Sequence, residues 1–483
     1  MSRTRFRFSH PVLLPFSTDT MSTLRSRAPL AIGASTLAAA LCVPPSLVAQ
    51  SRPAIRPLGA TVAVTTDSLG VVAGVRALPG GKLLLNDISG RRVLLLDSAM
   101  KVVQVVADST PSTANAYGPR PGSLIPFRGD STLFVDPASL SMLVIDPQGK
   151  LGRTMSVPRA QDAGMMSTGA SYANGYLVYR GMPNVQMRMT GTPGGSGGMP
   201  QVQVPDSMPL LRVNLQTRTV DTVANLKIPK TTPIISRVDD KISVAIEVNP
   251  LQYVDDWAVA STGDVAVVRG HDYHVEWMAS DGQRRTSPKV TFDWKRLSDE
   301  DKAQLVDSVG KILEKQFAAG GAGGSALQQG FQSFMGGGGM PAAGSAPVTM
   351  RFEMRAGDGG AGGAGPVRAP QMAAPKLTVV APSQLPDYQP PFFAGSVKAD
   401  ADGNLWISTI PTKPQPAGTV YDVVNSKGEV VERVLVPEGR TILGFGPGGT
   451  VYLAVRSAAA NATAAAGVAA TGVSMKIERA RIR

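Results

Sequence analysis

Along the chain, short apolar runs alternate with Gly-centred polar turns at a nearly regular interval. The turns and the strand-like runs after them are PGGKLLL (79–85), RGDSTLFV (128–135), ANGYLVY (173–179), TGDVAVV (262–268), DGNLWIS (402–408) and PGGTVYL (447–453). Gly beside Asp or Asn supplies the positive φ of a tight hairpin, and β-branched and aromatic residues favour an extended backbone. A second strand–turn–strand follows most of them: RVLLLDSAMKVVQVV, MLVIDPQGKLGRTM, RVNLQTRTVDTV, HVEWMASDGQRRT and YDVVNSKGEVVERVLV. Each unit is therefore a four-stranded antiparallel meander.

Gly80, Gly129 and Gly175 are 49 and 46 residues apart, and Gly403 and Gly448 are 45 apart. Repeats of about 40–50 residues built from four strands are propeller blades. Six signatures predict an all-β fold, a six-bladed β-propeller; a seventh blade around DDKISVAIEV (239–248) is the alternative. The intervals of 88 residues from Gly175 to Gly263 and 140 from Gly263 to Gly403 hold insertions. After Gly448 only TVYLAVR and VSMKIERARI follow the inner RTILGF, so AIRPLGATVAVTTD (54–67) is expected to complete the last blade and close the ring.

GPRPGSL (118–124) followed by FVDPASLSMLVIDPQGK (134–150) resembles the blade opening of NHL-type and TolB-like six-bladed β-propellers. DADGNLWIS and GFGPGGTVYLAVR (444–456) are similar to the hairpins of that family. The resemblance implies the fold and leaves the activity open. Calcium-dependent propeller lactonases share that fold, and their site needs carboxylate and amide oxygens converging from several inner strands. Asp256 is a candidate for one such ligand, and the rest cannot be assembled. The acid-rich DADGNLWIST (400–409) is not a calcium loop of the EF type, which needs Gly sixth and Glu twelfth. Here Gly403 is fourth and the twelfth residue is Pro411, so the stretch reads as a hairpin turn.

Three segments depart from blade composition: 181–208, 291–395 and 457–473. The longest contains a helical pattern over 297–317, capped by Ser298, with Leu305, Val306, Val309, Ile312 and Leu313 on one face. Its Gly-rich remainder, 318–376, has too little apolar surface to pack a core. In a propeller the Gly turns joining first and second strands share one face. Second-to-third turns and blade crossings share the other, so all the insertions crowd that second face. Variable loops on a rigid scaffold are where such folds acquire function.

The second strands end on that face at Asp87, Asp136, Arg180, Arg269, Thr409 and Arg456, which with Asp255 and Asp256 are expected around the channel mouth. Arginines opposite carboxylates suit an anionic ligand, or form salt bridges between blades. His271 and His274 flank Asp272 on a turn of the same face; His271 is a candidate base, and the set is a weak candidate for holding a metal. GGSGG (194–198) lacks the strand and helix that a nucleophile elbow requires. No H-E-x-x-H and no phosphate-binding G-x-x-x-x-G-K-[ST] occurs, and no cofactor is expected.

Composition adds an address. From Met21 a basic head, the apolar run APLAIGASTLAAALCV and PPSLVAQ describe a secretory signal peptide cut after Ala49. The domain reading is then a leader over 1–49 and one propeller over 50–483, in a chain of 483 residues, 43% of them hydrophobic. Cys42, the single cysteine, falls in the leader, so no disulfide is expected in the mature chain. From Gln50 onward 43 basic residues face 35 acidic ones, a net charge of +8, scattered without the aromatic interleaving of nucleic-acid binders. No later stretch reaches the ~20 apolar residues that span a bilayer. The expected protein is an exported, periplasmic or extracellular monomer that binds a small molecule, glycan or protein at the insertion-bearing face. The alternative is a propeller enzyme of the lactonase or lyase type using Asp256 or His271.

Overall fold

All six signature glycines lie in the left-handed region, with φ between 58° (Gly129) and 91° (Gly263), and each turns a first strand into a second. The structure, a computed structural model, describes residues 52–67, 69–109, 117–118, 122–190, 199–230, 232–238, 241–318, 376–413, 417–456 and 474–482. The expected leader, GGSGG, nearly all of the Gly-rich 318–376 stretch and the 457–473 segment lie outside these residues.

The chain begins with β1 (Ile55–Pro57) and β2 (Thr61–Val64). Blade 1 follows as β3 (Val72–Ala77), β4 (Leu83–Asp87), β5 (Arg92–Leu96) and β6 (Val102–Ala107). Blade 2 is β7 (Ser123–Pro126), β8 (Thr132–Asp136), β9 (Ser141–Ile145) and β10 (Leu151–Ser156). A short helix, α1 (Ala163–Thr168), leads to blade 3, made of β11 (Ala170–Ala173), β12 (Tyr176–Arg180), β15 (Ser207–Asn214) and β16 (Val220–Lys227). Between its second and third strands stands a hairpin, β13 (Gln186–Thr190) with β14 (Met199–Gln203).

Next come β17 (Thr232–Val238) and β18 (Lys241–Val248), then blade 4 as β19 (Asp256–Val259), β20 (Val265–Arg269), β21 (His274–Met278) and β22 (Arg284–Thr286). The long insertion supplies α2 (Asp299–Ala318) and β23 (Lys376–Val379). Blade 5 is β24 (Val397–Ala399), β25 (Leu405–Ser408), β26 (Gly418–Val424) and β27 (Val430–Pro437). Blade 6 is β28 (Arg440–Gly446), β29 (Thr450–Arg456), β30 (Met475–Arg481) and, as its outer strand, β2.

Why the middle strands read as unbroken apolar runs is plain from their packing. Leu83 and Leu85 of β4 face blade 6, where they meet Tyr452 and Ile477, while Leu84 faces blade 2 and meets Phe134. Strands buried on both faces have no polar side to alternate with. The same exchange fills the other seams: Leu133 and Met142 with Leu177 and Val213, Val178 and Leu210 with Val267, Val268 and Trp277 with Ile407, and Trp406 and Val434 with Ile442 and Leu453. Six seams, one between each consecutive pair and one closing blade 6 on blade 1, establish six blades in a ring. The 239–248 stretch is not a seventh. It falls mostly in β18 of a separate three-stranded sheet, β17-β18-β23, while β11 of blade 3 lies directly against β19 of blade 4.

Ring closure differs from expectation in one respect. The 54–67 segment divides: β2 pairs antiparallel with β30, and β1 pairs parallel with β27 as a fifth strand of blade 5. Just ahead of β1, Arg52 donates Nη2 to both oxygens of the buried Asp422 at 2.8 and 2.7 Å, and Arg433 Nε adds a third contact at 3.3 Å. In α2, Ser298 Oγ accepts the Asp301 amide at 3.1 Å while the Asp301 carboxylate accepts the Ser298 amide at 3.0 Å, a reciprocal cap. Leu305, Val309 and Leu313 of α2 are buried against Leu251, Val380 and Leu385, and Lys302 reaches Asp387 at 2.8 Å.

Third-to-fourth turns repeat a second device. Asp97, Asp146 and Asn425 each accept two amides of their own turn, and Met100, Gly149 and Gly428 take the positive φ. Among these three Met100, at φ 67°, is the one that is not glycine, and its side chain is fully buried in the seam between blades 6 and 1. Left-handed backbone costs about 1–2 kcal/mol, whereas truncating a buried Met costs about 2–5 kcal/mol. Met100→Gly should therefore lower stability by about 2 kcal/mol in urea unfolding; a stabilised variant would show that backbone strain outweighs the buried side chain.

Candidate functional site

The two acids that end second strands in blades 1 and 2 belong to their own turns. Asp87 is wholly buried, accepting the Gly90 amide at 2.9 Å on one oxygen and Arg92 Nε at 3.0 Å and the Gly70 amide at 3.3 Å on the other. Asp136 accepts the Ala138 amide at 2.9 Å and the Ser139 hydroxyl at 2.6 Å. A Cβ on Gly118 would overlap the Asp136 carboxylate, so the first Gly of GPRPGSL lets the chain cross over that side chain. Thr409 is buried as well, its hydroxyl 3.4 Å from the Val420 carbonyl.

Around blade 4 the polar residues form two sets. Asp256, the first residue of β19, accepts Arg180 Nη2 of blade 3 at 2.5 Å and the Val397 amide of blade 5 at 2.9 Å. One carboxylate thus joins three blades. Burial pushes the Asp256 carboxyl up from the usual carboxylate range, with Arg180 opposing. The second set starts at Asp255, which accepts the Lys227 amide at 2.9 Å, Arg269 Nη1 at 2.6 Å and the Gly270 amide at 3.2 Å. Arg269 continues to Glu276 at 2.8 Å, and this hydrogen bond holds the Glu276 carboxyl below its ordinary value.

Of the two histidines among the described residues, His271 is exposed, with its ring 5.2 Å from that of Tyr253 between centroids. His274 is the wired one: its Nδ1 is 2.7 Å from Asp272 Oδ1 and its Nε2 is 3.5 Å from Glu276 Oε1. His274 and Glu276, two apart on β21, lie on one side of the strand, and Asp272 reaches His274 from the turn before it, where Tyr273 has φ 48°. Arg456, at the end of β29, has a buried Nε with no hydrogen-bond partner among the described residues. Lys398 on β24, half-buried and absent from the sequence reading, is the other cation to note; a lone lysine in KADADG gives no cue to its place on an innermost strand.

A calcium site of the lactonase kind does not fit these residues. Among the described residues no three His, Cys, Asp or Glu side chains converge as ligands, and Asp256 is bonded to a guanidinium and an amide. The insertion-bearing face carries exposed apolar groups instead: Leu140, Met182, Val185, Trp294 and Tyr388, the last two 37% and 45% exposed. Residues 295–297 run antiparallel to 387–389, with Arg296 opposite Tyr388, so the period of two puts Trp294, Arg296 and Tyr388 on the same side of this ribbon. Tyr253 donates its hydroxyl to the Tyr388 carbonyl at 2.8 Å.

No family model matches the chain, and no curated protein matches it. Solved structures similar to it include a gluconolactonase from Xanthomonas campestris, at 11% identity over 89% of this chain and 96% of that one, with a TM-score of 0.35. Regucalcin, a calcium-binding protein from Agrobacterium tumefaciens, is similar at 10% identity over 89% and 98%, with a TM-score of 0.31. Virginiamycin B lyase from Staphylococcus aureus is similar at 9% identity over 82% and 80%, with a TM-score of 0.29. At such values the likeness carries no argument about chemistry, and the six-bladed architecture rests on the strand order above.

Two outcomes follow from the polar sets. Asp256→Ala leaves Arg180 and the Val397 amide without their acceptor at a buried position, and should lower stability by about 3 kcal/mol in urea unfolding; a loss under 1 kcal/mol would show the contact to be incidental. Glu276 has a folded pKa below its ordinary value of 4.5, so its contribution is present above that pH and is lost as pH falls through the lower folded value. The stability gap between wild type and Glu276→Gln should shrink in acid, and a gap that widens below pH 4.5 would reverse the assignment.

Proposed function

We propose that this chain is an exported six-bladed propeller that acts as a binding module, engaging its ligand at the insertion-bearing face. One observation carries the reading: the 181–208 and 291–395 insertions and the crossing before blade 4, which holds β17 and β18, meet on that face. Strand β14 lies against β17, β18 pairs parallel with β23, and α2 packs on the segments beside them. Parallel pairing of β18 with β23 joins the crossing before blade 4 to the crossing after it. Neutral lengthening of separate loops gives no reason for a shared sheet, whereas a built surface beside a channel mouth does. The exposed Trp294 and Tyr388 rings stand on the same face.

The NHL-type and TolB-like likeness of the blade openings supports the scaffold half of this reading and is silent on the ligand. Export rests on the leader pattern; no helix among the described residues is long and apolar enough to cross a membrane. A second reading, a lyase-type enzyme, is favoured by the Asp272–His274 contact, because a carboxylate-oriented imidazole is a general base. His274→Ala would then abolish a turnover that His271→Ala leaves intact.

Thermal-shift screening of small acids, sugars and peptides against the full mature protein tests the main reading. A ligand that raises the melting temperature should lose that effect in the Trp294→Ala, Tyr388→Ala double variant while the unliganded melting temperature stays within a few degrees of wild type. A ligand response that survives both changes and maps by hydrogen exchange to the Gly-turn face would overturn it. N-terminal sequencing of the exported product should begin at Gln50.

A further inference from the structure

The six innermost strands carry four charged residues: Arg76, Asp256, Lys398 and Arg440. Two of them are neutralised. Asp256 holds Arg180, and Arg440 makes a two-pronged contact with Glu478 at 2.7 and 3.1 Å. The other two are not. Among the described residues neither Arg76 nor Lys398 has a carboxylate within ion-pair distance. Arg76 donates Nη1 to the neighbouring Ala77 carbonyl at 2.6 Å, and its Nε is buried with no acceptor. The Lys398 ammonium makes no hydrogen bond among the described residues; the charge that acts on it is Asp256, already committed to Arg180 and the Val397 amide.

These cations occupy different depths. Lys398 follows Val397, whose amide reaches Asp256 at the insertion-bearing end of β19. Arg76 sits four residues along β3 from its first residue, Val72, or about 13 Å deeper at 3.3 Å per residue. Its distant carboxylate, Asp130, belongs to the Gly turn of blade 2 on the opposite face. The innermost strands therefore carry an unpaired positive charge near each end of the ring, on Lys398 and on Arg76. Apolar seams behind the inner strands keep the dielectric low and concentrate that field. Burial lowers the pKa of both side chains, the direction expected of cations short of counter-charge.

We infer that the channel is an oxyanion site, in which Lys398 at the insertion-bearing mouth, backed by Arg76, takes a small ligand bearing a carboxylate or phosphate group. A guanidinium and an ammonium with free donors suit such oxygens, and an unpaired cation in a partly desolvated wall is relieved by one. The inference rests on the binding-face reading above and names the chemistry of its ligand.

Calorimetry on the full mature protein at low ionic strength tests this with sodium phosphate and sodium acetate in separate titrations. One saturable site per chain is expected, with the tighter of the two anions identifying the headgroup. Lys398→Met should weaken it at least about tenfold and Lys398→Arg far less, since charge-assisted contacts dominate such sites. Affinity should fall as pH rises, and should do so below 10.5, because burial lowers the pKa at which the Lys398 ammonium is lost. Wild-type crystals soaked in bromide give an independent reading, with an anomalous peak expected beside Lys398 Nζ. Binding unchanged in a Lys398→Met protein that melts like wild type would overturn the assignment, as would two flat titrations with no bromide in the channel. A channel anion lost with Lys398, alongside ligand responses confined to the Gly-turn face, would keep this site and sink the binding-face reading.

Discussion

Pairing of β2 with β30 ties residues 61–64 to residues 478–480, and the whole ring depends on it. A propeller seam is buried only when both neighbouring blades are in place. Blade 6 borrows its outer strand from the opposite end of the chain, so its packing on blade 1 is completed by the most non-local strand pairing among the described residues. Arg52 on Asp422 and β1 on β27 extend that closure to blade 5. With two blades held by one N-terminal segment, the inner strands are fixed around the channel, and every residue at its mouth takes its place from that.

Once the ring is closed, the polar residues at the mouth divide by what they balance. Asp87 and Asp136 satisfy amides and a side chain of their own turns, which is why glycines crowd against both carboxylates. Asp256 and Asp255 are bound to arginines and to amides of neighbouring blades, so they stabilise seams. What is left over is positive charge, on Lys398 and Arg76 within the ring and on Arg456 at its edge. The scaffold neutralises these acids internally and leaves Arg76 and Lys398 without an ion pair among the described residues.

The insertions follow the same logic of position. A blade can lengthen only at its turns and crossings without breaking a seam, and the 88- and 140-residue intervals between signature glycines lengthen on one face. There β17, β18 and β23 make a sheet that no single insertion contains, and α2 buries Leu305, Val309 and Leu313 beside it. The result is a surface of its own above the ring, with Trp294 and Tyr388 exposed on the same face.

Blade number, turn chemistry and the helix were legible in the sequence because each depends on neighbours a few residues away. DADGNLWIST is a hairpin for local reasons: Asp400 Oδ1 accepts the Asp402 and Asn404 amides at 2.9 and 2.8 Å, and Gly403 takes φ 88°. Asp400 Oδ2 also accepts the Trp406 indole at 3.0 Å, across the same hairpin. Sequence also placed Arg180 and Asp256 on the same face. That they bond to each other, that Arg269 instead serves Asp255 and Glu276, and that Lys398 is left unpaired were decided only by the fold. Spacing along a strand determines which way a side chain points, but its partner across a seam depends on how six separately coded blades come to rest against one another.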